Sequence, residues 1–227
     1  LGTPSNAAVQ KYLNAKKVPQ LFAATGASRF TDPKNFPWTM GFNPNYFVEG
    51  RIYGQYIIKN HPNAKIGILY QNDDLGKDYL NGIKAGLGDK AANMIVSEAS
   101  YEVSDPTIDS QILKIKDAGA DLFFSASTPK QAAQAIKKIH ELGWKPVHIL
   151  DINATSVGAV MKPAGLEAVQ IRSGESLFIR QLKSGGGFTG NTRWVYQELR
   201  DRKVALFIDK LPEGIWQISY EMRAEAP

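Results

Sequence analysis

Lys65-Ile66-Gly67-Ile68-Leu69-Tyr70 is a continuous apolar run, and Gln71-Asn72-Asp73-Asp74-Leu75-Gly76 follows it without a break. A half-buried strand would alternate polar and apolar residues, so an unbroken run of this length predicts a strand covered on both faces, as in a parallel sheet. The polar stretch behind it leads into a helix over 76–87, with Tyr79, Leu80, Ile83 and Leu87 on one side. Asp73-Asp74 matches a helix cap or a cation ligand, and capping accounts for it with fewer assumptions.

Working outward, further strands are predicted at Met94-Ile95-Val96, Leu122-Phe123-Phe124 and Val147-His148-Ile149-Leu150. Their starts lie 28, 28 and 25 residues apart, about one strand-plus-helix unit each. A helix is predicted over 105–119, with Asp105 as N-cap, Pro106 at the first helical position, Ile108, Ile112 and Ile115 inward, and Gly119 as the stop. Another runs from Pro129 to Leu142, burying Ala132, Ile136 and Ile139 ahead of Gly143. Upstream, Ser5 caps a helix to Lys17, Gln20-Leu21-Phe22-Ala23 forms a strand, and Pro44 to Asn60 a long helix. Thr25 to Asn43 has no period and is predicted as a loop or crossover. The fold class is α/β with a parallel sheet.

After Lys162 the pattern changes. Leu177-Phe178-Ile179, Trp194-Val195-Tyr196, Val204 to Ile208 and Ile215 to Met222 are separated by turn-formers such as Leu211-Pro212-Glu213-Gly214, predicting a short all-β, sandwich-like segment. Charge changes at the same place: residues 1–162 carry +4 and are lysine-rich, and residues 163–227 carry +1 and are arginine-rich.

Composition removes several chemistries. With no cysteine there is no thiol nucleophile, disulfide framework or Cys-ligated metal, and His61, His140 and His148 are too few and scattered for a histidine metal site. Neither a metal nor a cofactor is expected. No apolar run approaches the 18 residues of a membrane helix, and Leu1-Gly2-Thr3-Pro4 lacks the regions of a signal peptide. The basic residues behind the net charge of +5 are scattered and mostly lysine, and pairs such as Lys16-Lys17 and Lys137-Lys138 fall on solvated helix faces without the interleaved aromatics of a nucleic-acid footprint. Nucleophile elbow, P-loop and H-E-x-x-H are all missing, so no enzyme is expected. Gly185-Gly186-Gly187-Phe188-Thr189-Gly190 satisfies G-x-G-x-x-G, but without a buried strand before it or a helix after it the motif predicts a hairpin loop. Asn153-Ala154-Thr155 forms a glycosylation sequon, a pattern common by chance.

Several segments, in this order and spacing, resemble one family. They are Gly2-Thr3-Pro4-Ser5-Asn6-Ala7-Ala8, Leu21 to Ser28, Ile66 to Gly76, Lys116-Asp117-Ala118-Gly119-Ala120-Asp121, and Gly158 to Gly165. Together residues 1–168 resemble the periplasmic solute-binding proteins of ABC importers, of the branched-chain amino-acid (leucine-binding) type. The resemblance implies residues 1–45 as the remnant of a first α/β lobe and crossover, N-terminally incomplete, and 46–168 as the second lobe. It further implies capture of an amino acid or related small carboxylate, impaired by truncation of the first lobe, an ABC permease as partner, a monomer, and a periplasmic location with the signal peptide absent from this chain.

Carried over position by position, the solute contacts fall on Thr3, Ser5, Thr25, Gly26 and Ala27 in the first lobe and Ser127, Thr128, Asp151 and Asn153 in the second. Gly26 would admit a carboxylate to the backbone, and Asp151 would neutralise an ammonium. Each has a plainer alternative: Ser5 as a helix cap, Thr25 as a turn residue, Asp151 and Asn153 as a turn. Pro4, Leu75 and Thr128 depart from the serine and tyrosine expected of leucine binders.

Residues 163–227 resemble instead a β-sandwich module of bacterial α-2-macroglobulin-like proteins, on the run Glu198 to Gly214 and on Tyr220-Glu221-Met222-Arg223-Ala224. The two resemblances overlap at 163–168, which implies a chimera joined there, with 169–227 as the β-rich part. The alternatives to solute capture are a structural or protease-inhibitor module and a fragment without function.

Overall fold

The computed structural model describes residues 2–165 and, beyond them, the backbones of three strands at 175–182, 188–194 and 216–222. Residues 1–156 form one compact unit and 157–227 another.

The first unit is built on two parallel sheets. The smaller pairs β1 (Gln20–Ala23) with β2 (Thr39–Gly41), covered on one face by α1 (Thr3–Ala15). The larger has four strands in the order β4 (Ile95–Tyr101), β3 (Ile66–Gln71), β5 (Leu122–Ala126) and β6 (Val147–Leu150), every pair parallel. Helices α2 (Tyr46–Asn60) and α3 (Asp74–Leu87) cover one face, and α5 (Asp109–Asp117) and α6 (Pro129–Glu141) the other. A short α4 (Ala91–Met94) leads into β4. This is the α/β, parallel-sheet class that the unbroken apolar runs predict.

Alternation along the strands separates two cores. Ile66, Ile68, Leu122 and Phe124 pack with Ile57, Tyr79, Ile83 and Leu87 of the α2–α3 layer. Leu69, Phe123 and Ala99 point the other way and pack with Ile108, Ile112, Ile115 and Ile139. The α2–α3 contact is closer than ordinary side chains permit. A Cβ added at Gly82 would lie 2.2 Å from the Phe47 carbonyl oxygen, and one at Gly54 would lie 2.6 Å from that of Ile83.

At one end of the large sheet, β4 leaves carbonyls without a strand partner. Lys114 Nζ donates to the Glu98 carbonyl at 3.0 Å, and Gln111 Nε2 to that of Ser100 at 3.3 Å.

The small sheet is held differently. Gln10 and Arg29 exchange two hydrogen bonds, Gln10 Nε2 to the Arg29 carbonyl at 3.1 Å and Arg29 Nε to Gln10 Oε1 at 2.9 Å. Asn14 donates to Thr39 Oγ1 at 2.7 Å and accepts from the Trp38 N–H at 2.9 Å, and Gln20 donates to the Asn6 carbonyl at 3.1 Å. A bulge in β1, with Phe22 at φ +53°, breaks the strand's alternation, so Leu21 and Phe22 are both exposed. Met40 and Phe42 are exposed as well, and Phe42 meets Phe22 edge-on with ring centroids 6.1 Å apart.

Three local expectations are corrected. Ser5 is not the cap of the first helix: α1 begins two residues earlier, with Gly2 as N-cap and no side-chain cap bond, and Ser5 stands exposed in its first turn. Asp105 and Pro106 do not open α5. Asp105 accepts from the Glu102 N–H at 2.9 Å while its own N–H donates to the Glu102 carbonyl, a closed turn that delays the helix to Asp109. The stretch 25–43, read as loop, contains β2 and a 3₁₀ turn at Ser28–Thr31. Gly119, at φ +76°, does end α5 as expected, and Asp73 does cap α3.

In the second unit a π turn at Val157–Met161 leads into the short α7 (Lys162–Ala164). Strands β7 (Glu175–Leu182), β8 (Phe188–Trp194) and β9 (Trp216–Met222) pair antiparallel in the order β8-β7-β9. The expected strand at 204–208, the Leu211 to Gly214 turn and Gly185-Gly186-Gly187 lie outside the described residues, as does Leu166 to Ala168 of the overlap.

Candidate functional site

In a parallel sheet all C-terminal strand ends share one edge, and the loops leaving that edge carry helix N-termini with their free N–H groups. In the large sheet this edge gathers Gln71 at the end of β3 with Asn72 and Asp73 behind it, Tyr101 at the end of β4, Ser127 and Thr128 after β5, and Asp151, Ile152 and Asn153 after β6.

Asp151 is the centre of one group. It is fully buried, and both of its oxygens accept from main-chain N–H groups, Oδ2 from Ser127 at 2.5 Å and Oδ1 from Asn153 at 2.6 Å. Burial pushes its carboxyl up to about 7 against the pull of those bonds, and the charge of Glu49 adds to the rise. Glu49, on α2, accepts from Tyr53 Oη at 2.9 Å, Tyr79 Oη at 2.6 Å and the Ile152 N–H at 3.1 Å. Burial, with the nearby carboxylates, raises both phenols well above the ordinary tyrosine value, so they act as donors.

Thr128 belongs to a second group. Its N–H donates to Tyr101 Oη at 3.1 Å, and its hydroxyl lies 3.2 Å from Gln71 Oε1 and 2.9 Å from Gln131 Oε1. Tyr101 donates in turn to Gln71 Oε1 at 3.2 Å, and burial pushes its phenol up to about 12. Gln71 Nε2 donates to Asp73 at 2.6 Å, while Asp73 caps α3 through the N–H groups of Leu75 and Gly76.

The remaining residues gather at the loop after β1. Thr3 and Thr25 share a buried hydroxyl contact of 2.7 Å, and the Ala27 N–H donates to Thr25 Oγ1 at 3.2 Å. A Cβ at Gly26 would lie 1.9 Å from the Pro44 carbonyl oxygen and 2.7 Å from the Tyr46 ring, so packing alone requires a glycine there.

Tyr46 joins the two ends of the site. Its N–H donates to the Gly26 carbonyl at 2.8 Å and its phenol to Asn153 Oδ1 at 3.2 Å. Thr3, Thr25, Gly26 and Ala27 are thereby linked through one residue to Asn153, Asp151 and Ser127, while Ser5 is not drawn in. Asn153 Nδ2 is buried beside the Asp151 carboxylate and makes no bond of full hydrogen-bond geometry among the described residues. The sequence analysis missed Tyr46 and Glu49. The signal open to it was two polar-tipped residues in the first turns of α2, but the partners that tie them to the site, Asn153 and Ile152, lie about 100 residues away along the chain.

The comparisons can be set against this geometry. A family model described as periplasmic binding protein matches residues 1–210. The chain belongs to the periplasmic binding protein family. The match extends past the overlap at 163–168. No curated protein sequence matches the chain.

Among solved structures, the chain is similar to a substrate-binding periplasmic protein from Ralstonia solanacearum, with 26% identity and a TM-score of 0.64 over 75% of this chain and 47% of that one. A fatty acid ABC transporter substrate-binding protein from Thermomonospora curvata aligns with 22% identity and a TM-score of 0.58, over 74% of this chain and 43% of that one. A solute-binding protein of an ABC transporter from Rhodopseudomonas palustris BisB5, in complex with 3,4-dihydroxybenzoic acid, aligns with 24% identity and a TM-score of 0.55, over 65% and 40%. The chain thus spans less than half the length of these structures.

Proposed function

We propose that the chain captures a small carboxylate solute, of the branched-chain amino-acid type or a related acid, outside the cytoplasm for delivery to an ABC permease, as a monomer. The observation that carries this reading is Asn153. Its oxygen accepts from Tyr46, and its amide is buried at the strand-end edge beside the Asp151 carboxylate, whose value it helps to lower, without a bond of full hydrogen-bond geometry among the described residues. A buried unpaired donor costs about 1–3 kcal/mol, which a solute oxygen would recover.

Asn153 would touch the solute; Thr128, whose N–H and hydroxyl already have partners, would shape its loop, and Ser5 stands exposed apart from this group. Thr3, Thr25, Gly26, Ala27, Ser127 and Asp151, already engaged within the chain, would shape the loops that hold the solute. Family membership and neighbours named as ABC transporter substrate-binding proteins support the class, and the fatty acid and dihydroxybenzoate named for two of those neighbours widen the panel of acids.

Isothermal titration with leucine, valine, 3,4-dihydroxybenzoate and octanoate tests the proposal. Saturable binding of at least one, weakened about tenfold in Asn153→Ala, is expected; silence across the panel would overturn it. For residues 169–227 we propose a β module of macroglobulin type joined at 163–168, supported by the antiparallel pairing of β7 with β8 and β9. Amplification of source DNA across codons 155–180 tests the join, and a dominant continuous product would exclude misassembly.

A further inference from the structure

Two turns leave the strand-end edge carrying Thr128 and Asn153, and two carboxylates tie them to each other and to α2 and α3. Asp151 ties the turn after β5 to the loop after β6, since Ser127 and Asn153 donate to its two different oxygens. Glu49 ties that second loop to α2 and α3, through Ile152, Tyr53 and Tyr79. Asp151 has no exposed surface, and each of its oxygens already faces a donor of the chain itself.

We propose that Asp151 is a positioning residue, a proton-sensitive clamp that sets the spacing of Ser127, Thr128 and Asn153 rather than a partner for a solute ammonium. The proposal rests on the capture reading, whose contacts it positions. The chemistry is that of a carboxylate between two N–H donors. Ionised, it accepts from both; a proton on either oxygen turns that oxygen into a donor facing a donor, and one of the two loops loses its tie.

The groups that face Asp151 are Glu49 and Tyr53 from α2, Tyr79 from α3 and Tyr101 from β4. The three phenols keep their protons across the neutral range, so Glu49 supplies the neighbouring charge. Burial and that charge together place the transition near neutrality, at about 7.

Hydrogen–deuterium exchange on the free protein from pH 5 to pH 8.5, expressed as protection relative to the core amides of β5, reads the clamp without a solute. The Ser127 and Asn153 amides are expected to lose about tenfold in protection on going from pH 8 to pH 6, the effect of one charge-assisted hydrogen bond. Asp151→Asn should abolish the transition. Glu49→Gln, which removes the neighbouring charge but keeps an acceptor, should move it to lower pH and loosen the Ile152 amide.

A flat wild-type profile, a transition that survives Asp151→Asn, or an unmoved midpoint in Glu49→Gln would each overturn the proposal. Should Asp151→Asn fail to fold, the wild-type and Glu49→Gln profiles decide it alone. Titration of leucine and of 3,4-dihydroxybenzoate at pH 8 and pH 6 separates the two readings. Affinity that follows the amide protection supports both, and silence at both pH values with the transition intact upholds the clamp and overturns capture.

Discussion

The two parallel sheets of the first unit are held by different physics. The four-stranded sheet is buried on both faces, and its helices are joined to it by apolar side chains that fill space. The two-stranded sheet is joined to α1 by directional pairs, Gln10 with Arg29, Asn14 with Thr39 and Trp38, and Gln20 with Asn6, and its opposite face presents Leu21, Phe22, Met40 and Phe42 to solvent. Apolar burial tolerates no loss of volume, whereas hydrogen-bonded pairing tolerates no loss of partner. The same kind of substitution should therefore weigh very differently in the two places.

The largest effect tests a buried carboxyl at the end of the large sheet, an exception to its apolar packing. Asp151 has a folded-state value raised from 3.8 to about 7. Over that range the folded chain holds a proton that the unfolded chain has released. The stabilisation is fully present below about pH 4 and is lost as pH rises through about 7, and it amounts to something on the order of 4 kcal/mol. Chemical denaturation of the wild type and Asp151→Asn at pH 4 and pH 8 reads the difference; a gap independent of pH would remove the exception.

Phe124→Ala, at a fully buried position packed on Tyr53 and Tyr79, should cost about 4 kcal/mol by urea denaturation. Gly82→Val should cost about 3 kcal/mol, because the new side chain meets the backbone of Phe47 and the two helices must part. In the small sheet, Gln10→Ala leaves the Arg29 guanidinium short of an acceptor and should cost about 2 kcal/mol. Phe42 is 69% exposed, so Phe42→Ser should change stability by less than about 0.5 kcal/mol. A loss above about 1.5 kcal/mol there would mean that this face is covered in solution, and the contrast between the sheets would soften.

What the sequence makes legible follows the same division. Strands β3, β5 and β6 announce themselves as unbroken apolar runs, and helices α3 and α6 through apolar residues at helical spacing. Strand β2 does not: it has three residues, and the alternate side chain, Met40, faces outward. Asp105-Pro106 has the chemistry of a helix start, yet Glu102 claims Asp105 first, a competition settled by three-dimensional closure rather than by propensity.

The site divides likewise. Asp73 is readable as a cap because its acceptors serve residues two and three positions on. Gly26 is readable as a required glycine, but the atoms that require it are Pro44 and Tyr46, not a ligand. Glu49 is unreadable, since its surroundings come from α3 and from a loop 103 residues away.

Lys114 and Gln111 bear on something outside the folded monomer altogether. An edge strand with vacant carbonyls is a template on which an identical strand of another molecule can add, the first step toward fibrils. Because the amine and the amide already occupy the Glu98 and Ser100 carbonyls, an incoming strand would have to expel both before it gained a bond. Those two side chains give β4 a guard against cross-β growth, a matter of how the chain keeps company at high concentration rather than of how it folds or what it holds.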